Sequence, residues 1–466
     1  MIILGTNSIK DTGYEVANSC RFDGSSAYLV KNFSSSANRK TMTISMWVKG
    51  FPMPGSGVKT LMMAGSQAED RTQFTIDDVG RFAFTHCSGI ASNTKLLETT
   101  RLFRDPAAWY NFVVQLDSTQ GTAANRTKIF CNGEQITSFG TEQYVDQNED
   151  FYFSFTSYHT HIGRFSYSSS NFFSGYMAEI VQLTGSAVTP STFGEADEDS
   201  PTIWKPKDLS DLDLSSTNSF YLDFEDSSAL GNDVSGNNND FTSYNLAATD
   251  QTTDTCTNNF ATLNSLVNFN SGVFSEGNLA ITFGDDTVST IGLTRGRWYW
   301  EAQRTNSTNE AHFGIGVSNG FYSATSIVSS GDRLYVRGGT SNFNTASNLS
   351  ILTFGSNSGT PASFGSGDIL SFYLDLESST KNIIIKKNDG ATPLANVDLT
   401  YSGEEPIFPF CRMNSGCASS WNFGNPINSL SSANTDANGF GSFEFSPTLS
   451  GVDYFAICTK NLAEYG

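Results

Sequence analysis

The chain is expected to be all-β, and three observations predict it. Short runs rich in Val, Ile, Phe, Tyr, Trp and Thr are cut again and again by Gly, Asn, Asp and Ser. The first set fits a pleated, half-buried surface and the second fits tight turns. Within runs such as Met42-Thr43-Ile44-Ser45-Met46-Trp47-Val48-Lys49, apolar and polar residues roughly alternate, the two-residue period of a strand with one buried face. No long segment convincingly carries apolar residues at i, i+3, i+4 and i+7, so no amphipathic helical stripe is expected.

Composition narrows the function classes. The 466 residues suffice for two or three domains with a large core. Only 16% are charged, against 25% or so in an average soluble protein, and 13% are aromatic, with 37 Phe. The net charge of −20, from 27 basic and 47 acidic residues, argues against a nucleic-acid partner, because a phosphate backbone requires clustered Lys and Arg. No apolar run approaches the roughly 20 residues of a membrane-spanning helix, so membrane insertion is not expected. The opening Met1-Ile2-Ile3-Leu4-Gly5-Thr6 lacks the basic flank and the length of a secretory signal, which implies synthesis and folding in a cytoplasm. The seven cysteines are scattered and odd in number, and no pair forms a CxxC. They are expected as small buried thiols. Cys411 and Cys417 flank a short loop and could sit close.

The elements follow in order. Phe22 to Leu29 and Met42 to Lys49 read as strands. Trp109 to Asp117 is a buried strand, Ser118 to Thr127 a polar loop, and Lys128 to Cys131 a strand entering Asn132-Gly133, a hairpin signal because both turn residues accept positive φ. Gly175 to Ile180 is another strand. Together these resemble a laminin-G-like (concanavalin-A-like) jelly roll over residues 1–195, with Ala178 where that family often has Asp. Residues 196–217, with an acidic cluster and Pro201 and Pro206, read as a linker or exposed strap. Residues 218–243 (Phe220-Tyr221-Leu222-Asp223-Phe224 and Asp233-Val234-Ser235-Gly236-Asn237) resemble a string that precedes the first strand in ordinary laminin-G-like domains. Here they follow the domain, so a circular permutation is expected, with 218–243 completing the first jelly roll from within a joining segment, 196–254. Residues 255–466 resemble a SPRY domain, on Gly296-Arg297-Trp298-Tyr299-Trp300-Glu301, Phe313-Gly314-Ile315-Gly316-Val317, Gly367 to Leu376, Ile383 to Gly390, Pro406 to Phe410 and Trp421-Asn422-Phe423-Gly424. The expected architecture is therefore two concanavalin-A-like jelly-roll sandwiches in tandem. The echo of Ser219-Phe220-Tyr221-Leu222-Asp223 in Ser371-Phe372-Tyr373-Leu374-Asp375 fits one strand plan used twice.

Chemistry has little support in the sequence. Glycoside hydrolysis needs two carboxylates across a cleft, and no E-x-D-x-x-E string occurs. Asp223 and Glu225 have the spacing for one strand face but lie in the joining hairpin, where solvated or turn-capping roles are expected. His159-Thr160-His161 puts two imidazoles on one strand face, a half-site for a metal that lacks a named third ligand. Asp233, Asn237, Asn239 and Asp240 are weak calcium candidates in a Gly-containing loop, although Asn and Asp also serve as turn formers. No cofactor other than possible calcium is implied. For binding, Tyr152, Tyr158, Tyr167, Phe172 and Phe173 form a Ser/Tyr/Phe-rich stretch suited to sugar stacking or protein contact. Plain packing is the alternative.

The joining string and the late Ala456-Ile457-Cys458-Thr459-Lys460-Asn461-Leu462 are similar to structural proteins of tailed phages of marine bacteria. The resemblance implies a non-enzymatic protein of the virion surface (head decoration, fibre or tail adhesin), assembled in the host cytoplasm with other virion proteins. It implies an oligomer or many symmetric copies, with host surface glycan as the partner. A glycan depolymerase on the same scaffold and a SPRY-type protein-interaction module are the alternatives.

Overall fold

Alternating strands with turn residues between them leave backbone hydrogen bonds to be satisfied by neighbours, and sheet pairing satisfies many of them while turns and loops close others. A computed structural model describes residues 13–35, 37–50, 57–65, 69–89, 94–166, 170–267, 272–307, 309–317, 332–338, 342–347, 351–403 and 405–466. Among the described residues the one α-helix is Thr459–Tyr465. Two compact units divide the chain, one ending at Thr257 and the other beginning at Asn258.

The first unit is a sandwich of two antiparallel eight-stranded sheets. In one sheet, Trp109–Asp117, Thr41–Lys49, Ser174–Thr184 and Ser19–Asp23 lie side by side. In the other, Arg81–Cys87, Arg71–Ile76, Lys59–Gly65, Thr160–Ile162 and Tyr28–Lys31 do. Phe22, Ile44, Met46, Phe112 and Met177 from the first meet Leu29, Leu61, Phe74, Phe82 and Phe84 from the second in one buried cluster. The joining segment is part of this unit. Phe220–Leu222 pairs with Ser174–Thr184 (Ile180 opposite Leu222), and Thr242–Tyr244 pairs with Tyr28–Lys31. The stretch expected as a linker or exposed strap is largely exposed but is pinned at a few points. Gly194–Ala196 pairs with Trp204–Pro206, and Leu209 and Leu214 are buried with Phe193 against Val113, Val181 and Leu183. Covering that outer sheet face explains why Thr41–Lys49 is buried almost throughout instead of alternating.

The Asn132-Gly133 turn has φ of 50° and 79°, as a two-residue hairpin with right-handed strand twist requires. A Cβ on Gly133 would also stand 2.4 Å from the Trp204 ring. Gly133→Ala is thus expected to lower the urea midpoint of the full chain by the equivalent of about 1 kcal/mol or more, with an unchanged slope.

The second unit is a twelve-stranded sheet that closes over its own core. Its pivot is the 16-residue strand Ile407–Asn422. Residues 407–413 pair with Ala311–Val317, while 417–422 pair with Arg297–Ser307. The change of partner falls at Gly416, where φ is 79°. The strings around Phe408 and Trp421 thus lie at the two ends of one strand. Trp298, Trp300, Phe313, Phe372, Ile385 and Trp421 fill the space between the arms. The hairpin from Ile369–Asp375 to Lys381–Lys387 leads into Asn388-Asp389, both at positive φ (48° and 51°). None of the seven cysteines forms a disulfide.

Candidate functional site

Strand alternation decides which side chains of the first unit reach solvent on the Tyr28–Lys31 sheet. Leu29 and Ile162 are opposite each other and point into the core. Their neighbours Tyr28, Val30 and His161 therefore face outward. His161 stands between Val30 and Met63, and Tyr28 lies opposite Tyr244. These residues, with Gly65, Ser157, Tyr158, His159, Arg164 and Ser166, line a groove of about 380 Å³.

Its floor is aromatic. The rings of Tyr28 and Tyr244 stack with centroids 4.7 Å apart and planes 3° from parallel. The guanidinium of Arg164 lies 4.0 Å from the Tyr28 ring centroid and donates through Nη2 to the Ser166 carbonyl (3.1 Å). His159 and His161 stack at 6.1 Å. Burial, then the charges of Arg164 and His159, pushes the His161 pKa down to about 3, so this imidazole is neutral near neutral pH. Its Nδ1 is buried without a hydrogen-bond partner among the described residues. Tyr244 is 44% exposed, leaving a ring open to a ligand.

The aromatic stretch singled out from sequence divides. Tyr158 lines the groove, its hydroxyl donating to Asp70 Oδ2 (2.9 Å). Tyr152 is a correction: its ring is buried and its hydroxyl donates to Asp70 Oδ1 (2.6 Å), so it braces Tyr158 from behind. Phe172 is buried behind Tyr28, at 6.4 Å. Phe173 is fully buried in the core against Phe22. Neither Phe offers a face for stacking. Tyr167 lies outside the described residues. Sequence reasoning missed Tyr28, Tyr244 and Arg164. The alternation of Tyr28 with Leu29 was a usable signal, but the partnership with Tyr244 depends on a register that joins distant segments.

The other candidates resolve into local structure. Asp233 accepts the backbone N–H groups of Tyr221, Ser235 and Asn239 and the Ser235 hydroxyl, at 2.8–3.0 Å. Asp240 Oδ1 accepts the Asp233 N–H (2.9 Å). Asn237 and Asn239 present amide nitrogens to the carbonyls of Leu214 and Ser219. These bonds fit the turn-forming alternative for this loop: the Asp233 carboxylate accepts donors of its own loop. Asp223 likewise accepts the Glu225 N–H. No group of three or more His, Cys, Asp or Glu side chains able to hold a metal occurs among the described residues, the His159–His161 pair included.

Residues 22–192 match the family model Laminin_G_3, described as the concanavalin A-like lectin/glucanases superfamily. Similar solved structures include domains LG4-5 of the mouse laminin alpha1 chain (12% identity, 93% of this chain and 89% of that one, TM-score 0.28). A CBM40 of the Ruminococcus gnavus IT-sialidase bound to alpha2,3 sialyllactose is also similar (12% identity, 38% and 96%, TM-score 0.28), as is the SPRY domain of human HERC1 (18% identity, 31% and 87%, TM-score 0.24). No curated protein matches by sequence. The part of the chain that carries the groove is a concanavalin A-like, laminin-G-like jelly roll.

Proposed function

We propose that this is a non-enzymatic glycan-binding protein displayed on a virus particle, and that the sugar sits in the Tyr28–Tyr244 groove. One observation carries the reading: a stacked tyrosine pair whose outer ring, Tyr244, is partly exposed in a groove that also presents imidazole, guanidinium and hydroxyl groups. The apolar C–H face of a sugar ring stacks on such a surface while its hydroxyls take the convergent polar groups. A lectin/glucanase-type family match over this unit supports the same class. Binding without hydrolysis is favoured because the described lining contains no carboxylate, and glycoside cleavage requires a pair. Display on a particle is supported by the resemblance of the joining string to tailed-phage structural proteins. Many copies would turn weak single contacts into firm attachment.

Tyr28→Ala and Tyr244→Ala are each expected to weaken binding to a responsive glycan about tenfold or more, roughly 1.4 kcal/mol, with the thermal midpoint nearly unchanged for exposed Tyr244. A glycan array followed by calorimetry measures this. New reducing ends on incubation with polysaccharide would instead indicate a depolymerase. Absence of the protein from purified particles would remove the virion assignment.

A further inference from the structure

We infer that the ligand of this groove is an acidic glycan, one whose sugar carries a carboxylate or sulfate that docks on Arg164 beside His161. The inference rests on the reading of the groove as a glycan site and adds the charge of the ligand.

The first ground is the groove's charge. In a chain of net charge −20, the described lining holds one arginine, two histidines and no Asp or Glu. The nearest acid in the hydrogen-bond network, Asp70, is engaged elsewhere. It accepts the hydroxyls of Tyr152 and Tyr158 and the Gly89 N–H, at 2.6, 2.9 and 2.8 Å. Arg164 forms no salt bridge among the described residues, and its Nε is buried without a hydrogen-bond partner there. Leaving a desolvated guanidinium donor unmatched is unfavourable unless something else supplies an acceptor. An oxyanion in the groove supplies an acceptor to the guanidinium.

The second ground is independent of Arg164. His161 is 7% exposed, lines the groove, and keeps Nδ1 unpartnered. A buried polar atom of this kind normally finds a partner. A neutral imidazole protonated at Nδ1 donates to an anion, and a bound anion also favours the charged ring. The Arg164 guanidinium is held against Tyr28 by ring contact, so its position is set before a ligand arrives. Tyr244 stacks on Tyr28, and both line the groove together with Arg164, so the exposed Tyr244 ring and the site for the acidic substituent share one groove.

The test titrates the full chain calorimetrically with three oligosaccharides of matched length: neutral, uronate-bearing and sulfated. Polyglutamate serves as a non-sugar anion. At least one acidic sugar should bind tenfold or more tighter than the neutral one, and the preference should shrink as salt rises from 50 to 500 mM. Arg164→Gln should reduce that acidic-over-neutral ratio toward one, and Arg164→Lys should restore part of it. Equal binding of neutral and acidic sugars, with Tyr244→Ala still weakening both, overturns this inference and leaves the glycan reading intact. Polyglutamate binding as tightly as the acidic sugar overturns the sugar class. Binding of none of the probes rejects both readings. Should Arg164→Gln fail to fold, the ligand series and salt series on the unaltered chain decide alone.

Discussion

Replacing Asp254 with Ala is expected to destabilise the first unit by about 3–5 kcal/mol, among the largest effects of any single substitution. The Lys49 ammonium and the Asp254 carboxylate meet at 2.6 Å with both side chains fully buried. Lys49 ends the central strand Thr41–Lys49 on the outer face of its sheet, beside the Tyr176 ring at 5.3 Å. Burial pulls its pKa down and Asp254 pulls it back up. The carboxylate also accepts the Trp109 indole N–H (3.2 Å), and the Asp254 carbonyl accepts the Ser19 hydroxyl (2.6 Å). Removing the carboxylate strands a positive charge in an apolar setting and orphans the indole at once. The pair itself need not be worth that much, because desolvation offsets most of its attraction. The double variant Lys49→Met, Asp254→Leu should therefore recover most of the loss. Urea midpoints with unchanged slopes measure both variants. A loss below 1 kcal/mol or so for Asp254→Ala would show that the ammonium is not confined as described.

The strand plan was legible because its signals are local. Alternation marks Thr41–Lys49, an apolar run marks Trp109–Asp117, and Asn132-Gly133 announces a hairpin whose φ values follow. The groove was only half legible. Tyr158, His159 and His161 were singled out, but the strand holding His161 has three residues, too few for alternation to separate outward rings from buried ones. Tyr152, Phe172 and Phe173 look the same in composition as Tyr158, and only the three-dimensional neighbours tell them apart. Tyr244 reaches Tyr28 through sheet pairing, and a one-residue slip in that register would have turned it away. The loop of Asp233 was ambiguous for a different reason. Asn and Asp that ligate a cation and those that cap a turn use the same oxygens, and hydrogen-bond partners decide between them.

The stability of the first unit is expected to fall as pH rises from about 4.5 to about 8, because of Glu179. This residue sits at a bulge where the register against Thr41–Lys49 shifts between Ala178 and Val181, with φ at 49°. That left-handed backbone, uncommon for a side chain of this size, sets its carboxyl where only 4% of the residue is exposed. Tyr221 donates a 2.6 Å hydrogen bond to its Oε2. Burial is the main force raising its pKa from 4.5 to about 8, with Asp223, Glu225 and Asp208 adding to the rise and the Tyr221 hydrogen bond opposing it. In that window the native carboxyl keeps its proton while the unfolded one has released it. The native state thus binds more protons, and stability declines with rising pH until both forms are ionised. A difference of 3.5 units (8 minus 4.5) sets an upper bound on the order of 5 kcal/mol. Glu179→Gln keeps an acceptor for Tyr221 and removes the titration. The gap between wild type and variant in urea midpoint should therefore move steadily in favour of the variant between pH 5 and pH 8. Taking the difference cancels the other ionising groups of the chain. A gap that stays constant across this range would mean that Glu179 is already charged in the folded protein, stabilised by contacts beyond the Tyr221 hydroxyl.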